Sequence, residues 1–343
     1  MANLIELAAS YVPMLDEVYA LESCTSDLDG SPELVKEGAN ANELVIPMLD
    51  MEGLADYDRN SGYVGGDVTM RNETVKCNFD RGRSFSVDNC DNAETAGLAF
   101  GKLSSEFIRT KVVPELDAFR FASYAGKAGI GSMEGTMEDG AAVVKALSDA
   151  QNYMDEEGVP ENERYLRITP TLLSMVRNMD TTKSREVLDG FASIKRVPQA
   201  RFYTAIEQLS GKNGEKAGGY RPYPKHYEKC SEGDPGALKV VADSASPTGS
   251  EIKVSEVTPV ADPEYTPIEN DYVRAVQGAK INFMILHKPA VIQFPKHKAP
   301  KIIPPELNQD ADAWKYGYRM VGIADVYANK LSGVFCHHQP AGV

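Results

Sequence analysis

Between residues 67 and 88 apolar and polar side chains alternate three times over. Val68 and Met70 stand against Asp67, Thr69 and Arg71; Val75, Cys77 and Phe79 against Lys76, Asn78 and Asp80; Phe85 and Val87 against Ser84, Ser86 and Asp88. A two-residue period of this kind predicts half-buried strands. Upstream, Leu44-Val45-Ile46 opens a further strand, which Pro47 confines to an edge or an irregular path. Asp58-Arg59-Asn60-Ser61-Gly62 and Gly65-Gly66 supply turn chemistry between the strands. Residues 43–88 therefore read as a long hairpin with few large apolar side chains. An isolated hairpin is marginal in water, so this one needs a partner surface.

The period changes to a helical one over 89–127, where Asp91 or Asn92 caps the start. Ala99, Leu103 and Phe107 share one face, and Val112, Leu116, Phe119 and Ser123 continue it; Pro114 should kink the helix or split it. A second helix is expected over 138–157, turning Val144, Leu147 and Ala150 inward and ending at Gly158. A short strand at 165–169 stops at Pro170 and leads into a helix through Met179, and strand-like pieces flank Pro198. Residues 209–270 are polar and rich in Gly, Pro and Lys, with β-like runs at 238–242 and 252–257, and read as an insertion or extended loops. The runs 281–286 and 290–294 read as a strand pair; after a Pro/Lys-rich link, 316–326 and 333–337 read as closing strands. Residues 1–40 hold an amphipathic stretch at 4–19, interrupted by Pro13, and no core of their own. This arm either packs on a neighbouring subunit or folds back on its own chain.

At 343 residues the chain has room for about two domains. Its 42% hydrophobic and 25% charged residues exclude a disordered or collagenous chain, and no stretch is apolar enough to cross a bilayer. The start lacks a basic segment and carries Glu6 early, so no secretory signal is expected. Five scattered cysteines without a C-x-x-C fit a reducing compartment. A net charge of −14 argues against gripping DNA through its phosphates. It suits a soluble surface, or a wall that encloses nucleic acid without adhering to it.

Catalytic patterns do not emerge. Gly126-Lys127-Ala128-Gly129-Ile130-Gly131 follows a helix and lacks Gly-Lys-Ser/Thr, so it fails as a phosphate loop. The histidines (His226, His287, His297, His337, His338) form no H-E-x-x-H, and there is no G-x-S-x-G elbow. The carboxylate run Asp155-Glu156-Glu157 reads as a solvated helix end. No catalytic residue, cofactor or metal is expected, although a two-carboxylate hydrolase stays open because such a pair is set by space.

The order of elements, with Asp56-Tyr57-Asp58-Arg59, Gly62-Tyr63, Gly66, Asp80-Arg81-Gly82 and Phe85-Ser86-Val87-Asp88, resembles the Hong Kong 97-type fold of tailed-bacteriophage major capsid proteins. The strand-then-proline at 164–170 and the apolar strand with His287-Lys288 and Ala290-Val291 add to the likeness. The resemblance implies an α+β fold. It would have an N-terminal arm (1–42), an extended loop hairpin with its base strands (43–88), a peripheral domain with a spine helix (89–134 and 281–343), and an axial α/β domain (135–280) that includes the insertion at 209–270. It also implies homo-oligomers, hexamers and pentamers closing into an icosahedral shell around double-stranded DNA bound without sequence specificity. A portal and a separate scaffolding protein would be partners, no membrane would be involved, and the protein would be found in the virion after assembly in the host bacterial cytoplasm. Tyr57, Arg59, Tyr63, Val68, Met70 and Arg71 become candidates for contacts between subunits. Some relatives cross-link through a lysine in this loop; here the loop holds Arg59 and Arg71, with Lys76 only near its base, so no cross-link is carried over. An encapsulin-type compartment shares the fold and is the first alternative reading.

Overall fold

The computed structural model describes residues 22–30, 36–37, 43–53, 55–57, 59, 62–63, 65–90, 98–212, 215–234, 236–257 and 268–340. The chain divides into two compact units. The larger comprises Phe107–Val291 and Val326–Val343 with the described residues of Leu21–Cys24; the smaller comprises the described residues of Thr25–Glu106 with Ile292–Asp325.

The larger unit is built on a five-stranded sheet in the order Gly131–Glu134, Val334–His338, Ile281–His287, Arg164–Ile168, Ser193–Arg196. Its central strand, Ile-Asn-Phe-Met-Ile-Leu-His, is buried at every position, as expected of a mostly apolar run bounded by turns. Of its two polar members, Asn282 has partners within the unit: its Nδ2 lies 3.0 Å from both Gly135 O and His337 Nδ1. Both neighbours of this strand run antiparallel to it, and the outer two strands pair parallel to theirs.

One face of the sheet is covered by helices α3 (Gly140–Glu156), α4 (Pro170–Met179) and α5 (Thr182–Asp189), numbered after α1 (Leu98–Phe107) and α2 (Val113–Ala125). Val143, Leu147, Ala150 and Met154 of α3 join Leu173 and Val176 of α4 against Phe283, Ile285 and Phe335. Local chemistry sets the helix ends. The Asp139 carboxylate accepts from Ala142 N at 2.7 Å, Pro170 occupies the first turn of α4, and Thr181 and Ser184 cap each other at α5.

Between α1 and α2 the chain makes a five-residue π-helical turn, Ile108–Val112. Pro114 then falls in the first turn of α2, where its missing N–H costs no helical bond. The wider turn advances the helical phase. Of the expected Val112–Leu116–Phe119–Ser123 face only Leu116 is buried; Val113, Phe121 and Tyr124 take the places of the others, with Asp117, Ala118 and Arg120 also buried. The expected caps Asp91 and Asn92 lie outside the described residues.

The smaller unit holds two three-stranded sheets. One runs Val291–Ile303, Ala313–Val326, Phe79–Asp88; the other Lys36–Glu37, Glu43–Met51, Val68–Lys76. The runs 281–286 and 290–294 thus belong to different sheets and do not pair, being separated by the 3-10 turn Lys288–Ala290. The residues read as a Pro/Lys-rich link continue the strand through Pro295 and Pro300 to Ile303. An outer strand accepts prolines because one of its edges needs no donor.

In this unit the start of the described chain is held by its own fold. The Gln293 amide donates to Thr25 O at 2.7 Å and to Asp29 Oδ1 at 2.6 Å, and Gly30 N donates to Gln293 O at 2.9 Å. A Cβ on Gly30 would lie 2.7 Å from the Phe294 ring, so the close approach requires glycine. In the larger unit the buried Asp117 carboxylate accepts from Ser23 Oγ at 2.8 Å, Cys24 N at 2.9 Å and Arg201 Nη1 at 3.3 Å. Residues 22–30 therefore fold back on their own chain; 1–21 lie outside the described residues.

Candidate assembly surface

Glu43–Met51 and Val68–Lys76 pair antiparallel through nine residues, from Glu43 opposite Lys76 to Met51 opposite Val68. Side chains alternate faces along a strand and directly opposed residues share one. Met51, Val68 and Met70 therefore stand on one face of the hairpin's far end, and Thr69 on the other. The three are 64%, 64% and 66% exposed. Beyond them Tyr57 and Tyr63, 60% and 90% exposed, pack edge to face with centroids 4.9 Å apart. Gly62 carries the chain between them at φ +80°, and Glu52 Oε2 accepts from Asp67 N at 3.3 Å across the neck of the loop.

These five are the majority of the seven large hydrophobic residues exposed among the described residues; the other two, Ile268 and Leu307, are distant in sequence. Scattered exposed apolar residues are ordinary, whereas a concentrated patch marks a surface that meets another molecule. At the hairpin's base the pattern inverts. Val75, which the alternation places on the face opposite Met70, is buried, as is Phe79 at the start of the next strand. The hairpin is anchored by one face and offers the other further out.

Of the residues singled out from sequence, Tyr57, Arg59, Tyr63, Val68 and Met70 are all exposed in this hairpin, and Arg71 is placed opposite Met48 in the ladder. Met51 was not singled out. It follows Pro47 at a strand end, and only the register puts it beside Val68.

Below the hairpin, Arg319 binds Asp80 through both carboxylate oxygens, at 2.9 and 2.6 Å, and holds that carboxyl below its ordinary range. This pair ties Phe79–Asp88 to Ala313–Val326, whose ladder runs from Ala313 opposite Asp88 to Gly322 opposite Phe79. The histidine doublet near the end of the chain splits as neighbours on a strand must. His337 is buried and stacked at 5.1 Å on Phe283, and burial pushes its pKa down to about 4; His338 is only partly buried. Among the described residues no three His, Cys, Asp or Glu side chains converge as a metal site would require.

No protein-family model matches the chain, and no curated protein matches its sequence. Solved structures do match in fold. A chain of Gordonia phage Cozz aligns with a TM-score of 0.51 at 13% identity, over 93% of this chain and 87% of that one. The virus-like particle of Pyrococcus furiosus gives 0.50 at 8% identity, over 94% and 95%. The capsid structure of cyanophage P-SCSP1u gives 0.47 at 11% identity, over 89% and 85%. At these identities the likeness is one of fold. The chain has the Hong Kong 97-type capsid fold that its order of elements resembles.

Proposed function

We propose that this chain is the major capsid protein of a tailed bacteriophage, a structural subunit without catalytic activity that assembles with its own copies into a closed icosahedral shell. The observation that carries the reading is the fold, shared over 93% of the chain with a phage protein and over 94% with the subunit of a virus-like particle. The exposed apolar end of the hairpin supports it, because a subunit built for assembly needs a surface its own chain leaves uncovered.

On this reading hexamers and pentamers form the shell. The face bearing Met51, Val68 and Met70, with Tyr57, Arg59 and Tyr63 beyond it, lies on the neighbouring subunit, and Arg71 flanks the contact. Each hairpin contributes modestly, and closure of the lattice multiplies the contributions. The enclosed double-stranded DNA is held without sequence readout, consistent with a net charge of −14. A separate scaffolding protein and a portal complete the assembly.

Electron microscopy of the purified protein tests the reading: closed shells or capsomers are expected, and a homogeneous monomer at high concentration overturns it. The resemblance to a virus-like particle favours a second reading, a compartment that encloses protein. Double-stranded DNA in particles isolated from their natural source supports the capsid, and a protein cargo in its place supports the compartment.

A further inference from the structure

Between Tyr223 and Gly278 four strands form a small sheet apart from the five-stranded one, in the order His226–Lys229, Tyr272–Val276, Ala237–Val241, Glu251–Lys253. The register puts Tyr227, Leu238, Val240, Ile252 and Val273 on one face. Tyr227, Val240, Ile252, Val257 and Val273 pack into a hydrophobic cluster of their own, with Leu238 and Val254 against it. None of these residues belongs to the cluster beneath α3 and α4. The opposite face is polar: Arg274 pairs with Glu228 at 3.2 Å, and Lys239 stands opposite both Glu251 and Tyr272. One face of the sheet is thus largely apolar and the other charged, the usual division for a sheet with one solvated side.

The chain enters and leaves this lobe at one point. Gly278 N donates to Tyr223 O at 3.0 Å, and Tyr223 N donates to Ala205 O at 3.1 Å, so three strands of chain lie side by side. A Cβ on Gly278 would sit 2.3 Å from Ala205 O and 2.8 Å from Tyr223 N, which only glycine avoids. Just outside this neck, Thr204 and Ala279 exchange bonds at 2.9 Å and Ile281 N donates to Phe202 O at 3.0 Å, so the pairing runs straight into the central strand.

We propose that residues 223–278 are a self-contained module, grafted at the Gly278 neck, which melts separately from the five-stranded sheet and is dispensable for folding of the rest of the chain. Its cluster is small, and cooperative units with little buried apolar area open first. Where shells are concerned the inference rests on the capsid reading: the lobe is carried by the subunit and is not needed to close the lattice.

The test uses the full chain and two variants. Val273→Asp places a charge in the lobe's cluster. Rapid proteolysis confined to 224–277 is expected, while the main thermal transition moves by less than about 2 °C. A chain with 224–277 replaced by a short Gly-Ser linker is expected to be soluble, to keep that transition, and to form the same particles as the intact chain. Loss of the main transition in either variant overturns the module. Particles from the intact chain but none from a folded lobe-less chain overturn its dispensability for assembly, and absence of particles from the intact chain counts against the capsid reading alone.

Discussion

One strand and one pair of strands in this molecule are equally legible as β-structure and have opposite fates. Ile281–His287 is flanked by a strand on each side and roofed by helices, and all seven of its residues are buried. Glu43–Met51 and Val68–Lys76 pair over nine residues, yet Met51, Val68 and Met70 each keep about two thirds of their surface in water. The strand draws its stability from neighbours in its own chain; the pair has hydrogen-bond partners and no apolar cover at its far end. Hydrophobic content alone does not distinguish a core from an interface. What does so is whether the chain supplies the second surface.

The contrast is most directly broken from the core side. Phe283→Ala empties a site among Leu166, Ile285 and Phe335 and should destabilise the protein by about 3–5 kcal/mol, read from denaturant unfolding. A loss below 1 kcal/mol would mean that the central strand is not the core. Gln293→Ala removes the buried amide that donates to Thr25 O and Asp29 Oδ1, for roughly 1–3 kcal/mol over the two bonds. Proteolysis near 25–30 should accelerate in that variant, and an unchanged cleavage rate would contradict the latch.

Acid should weaken the buried sheet selectively. His337 titrates near 4 in the folded chain against 6.5 when unfolded, so the unfolded state takes up the extra proton between those values. Stability is then full above pH 6.5, falls as pH drops toward 4 by at most about 1.4 kcal/mol per unit for this proton, and loses nothing more from this group below 4. Comparison of His337→Gln with the parent across that window isolates the contribution. The smallest effect on subunit stability is expected at the hairpin, where replacing Met51, Val68 and Met70 by serine should each change unfolding by no more than about 0.5 kcal/mol. Particle yield should nevertheless collapse. Normal particles from the triple variant would remove the hairpin from the proposed contact.

The alternation at 68–88 made the hairpin and the strand after it readable, because a two-residue period is a local property. The apolar run at 281–287 was equally plain, but its partners were not, since pairing is non-local and adjacency in sequence suggested the wrong neighbour. Residues 295–303 were hidden by two prolines and three lysines, which are acceptable in an outer strand and also common in a link. The seats of residues 22–30 depend on Asp117, Gln293 and Gly30, none of which carries a periodic signal. For the hairpin surface, Tyr57, Tyr63, Val68 and Met70 stood out by type and position, whereas Met51 required the register. The five-residue π turn left no trace in the helical pattern, so the reading of α2 held at Leu116 and missed Val113, Phe121 and Tyr124.

The Gln293 latch has a consequence for the order of events in synthesis. Thr25 leaves the ribosome 268 residues ahead of the amide that receives it. At ordinary elongation rates that is a delay on the order of tens of seconds. Throughout it Thr25 and Asp29 lack the Gln293 amide, and the smaller unit cannot be finished until Ile292–Asp325 has been made. The nascent chain is thus kept incomplete by its own topology, so the hairpin's apolar end is presented on a finished base only once Ile292–Asp325 has been released.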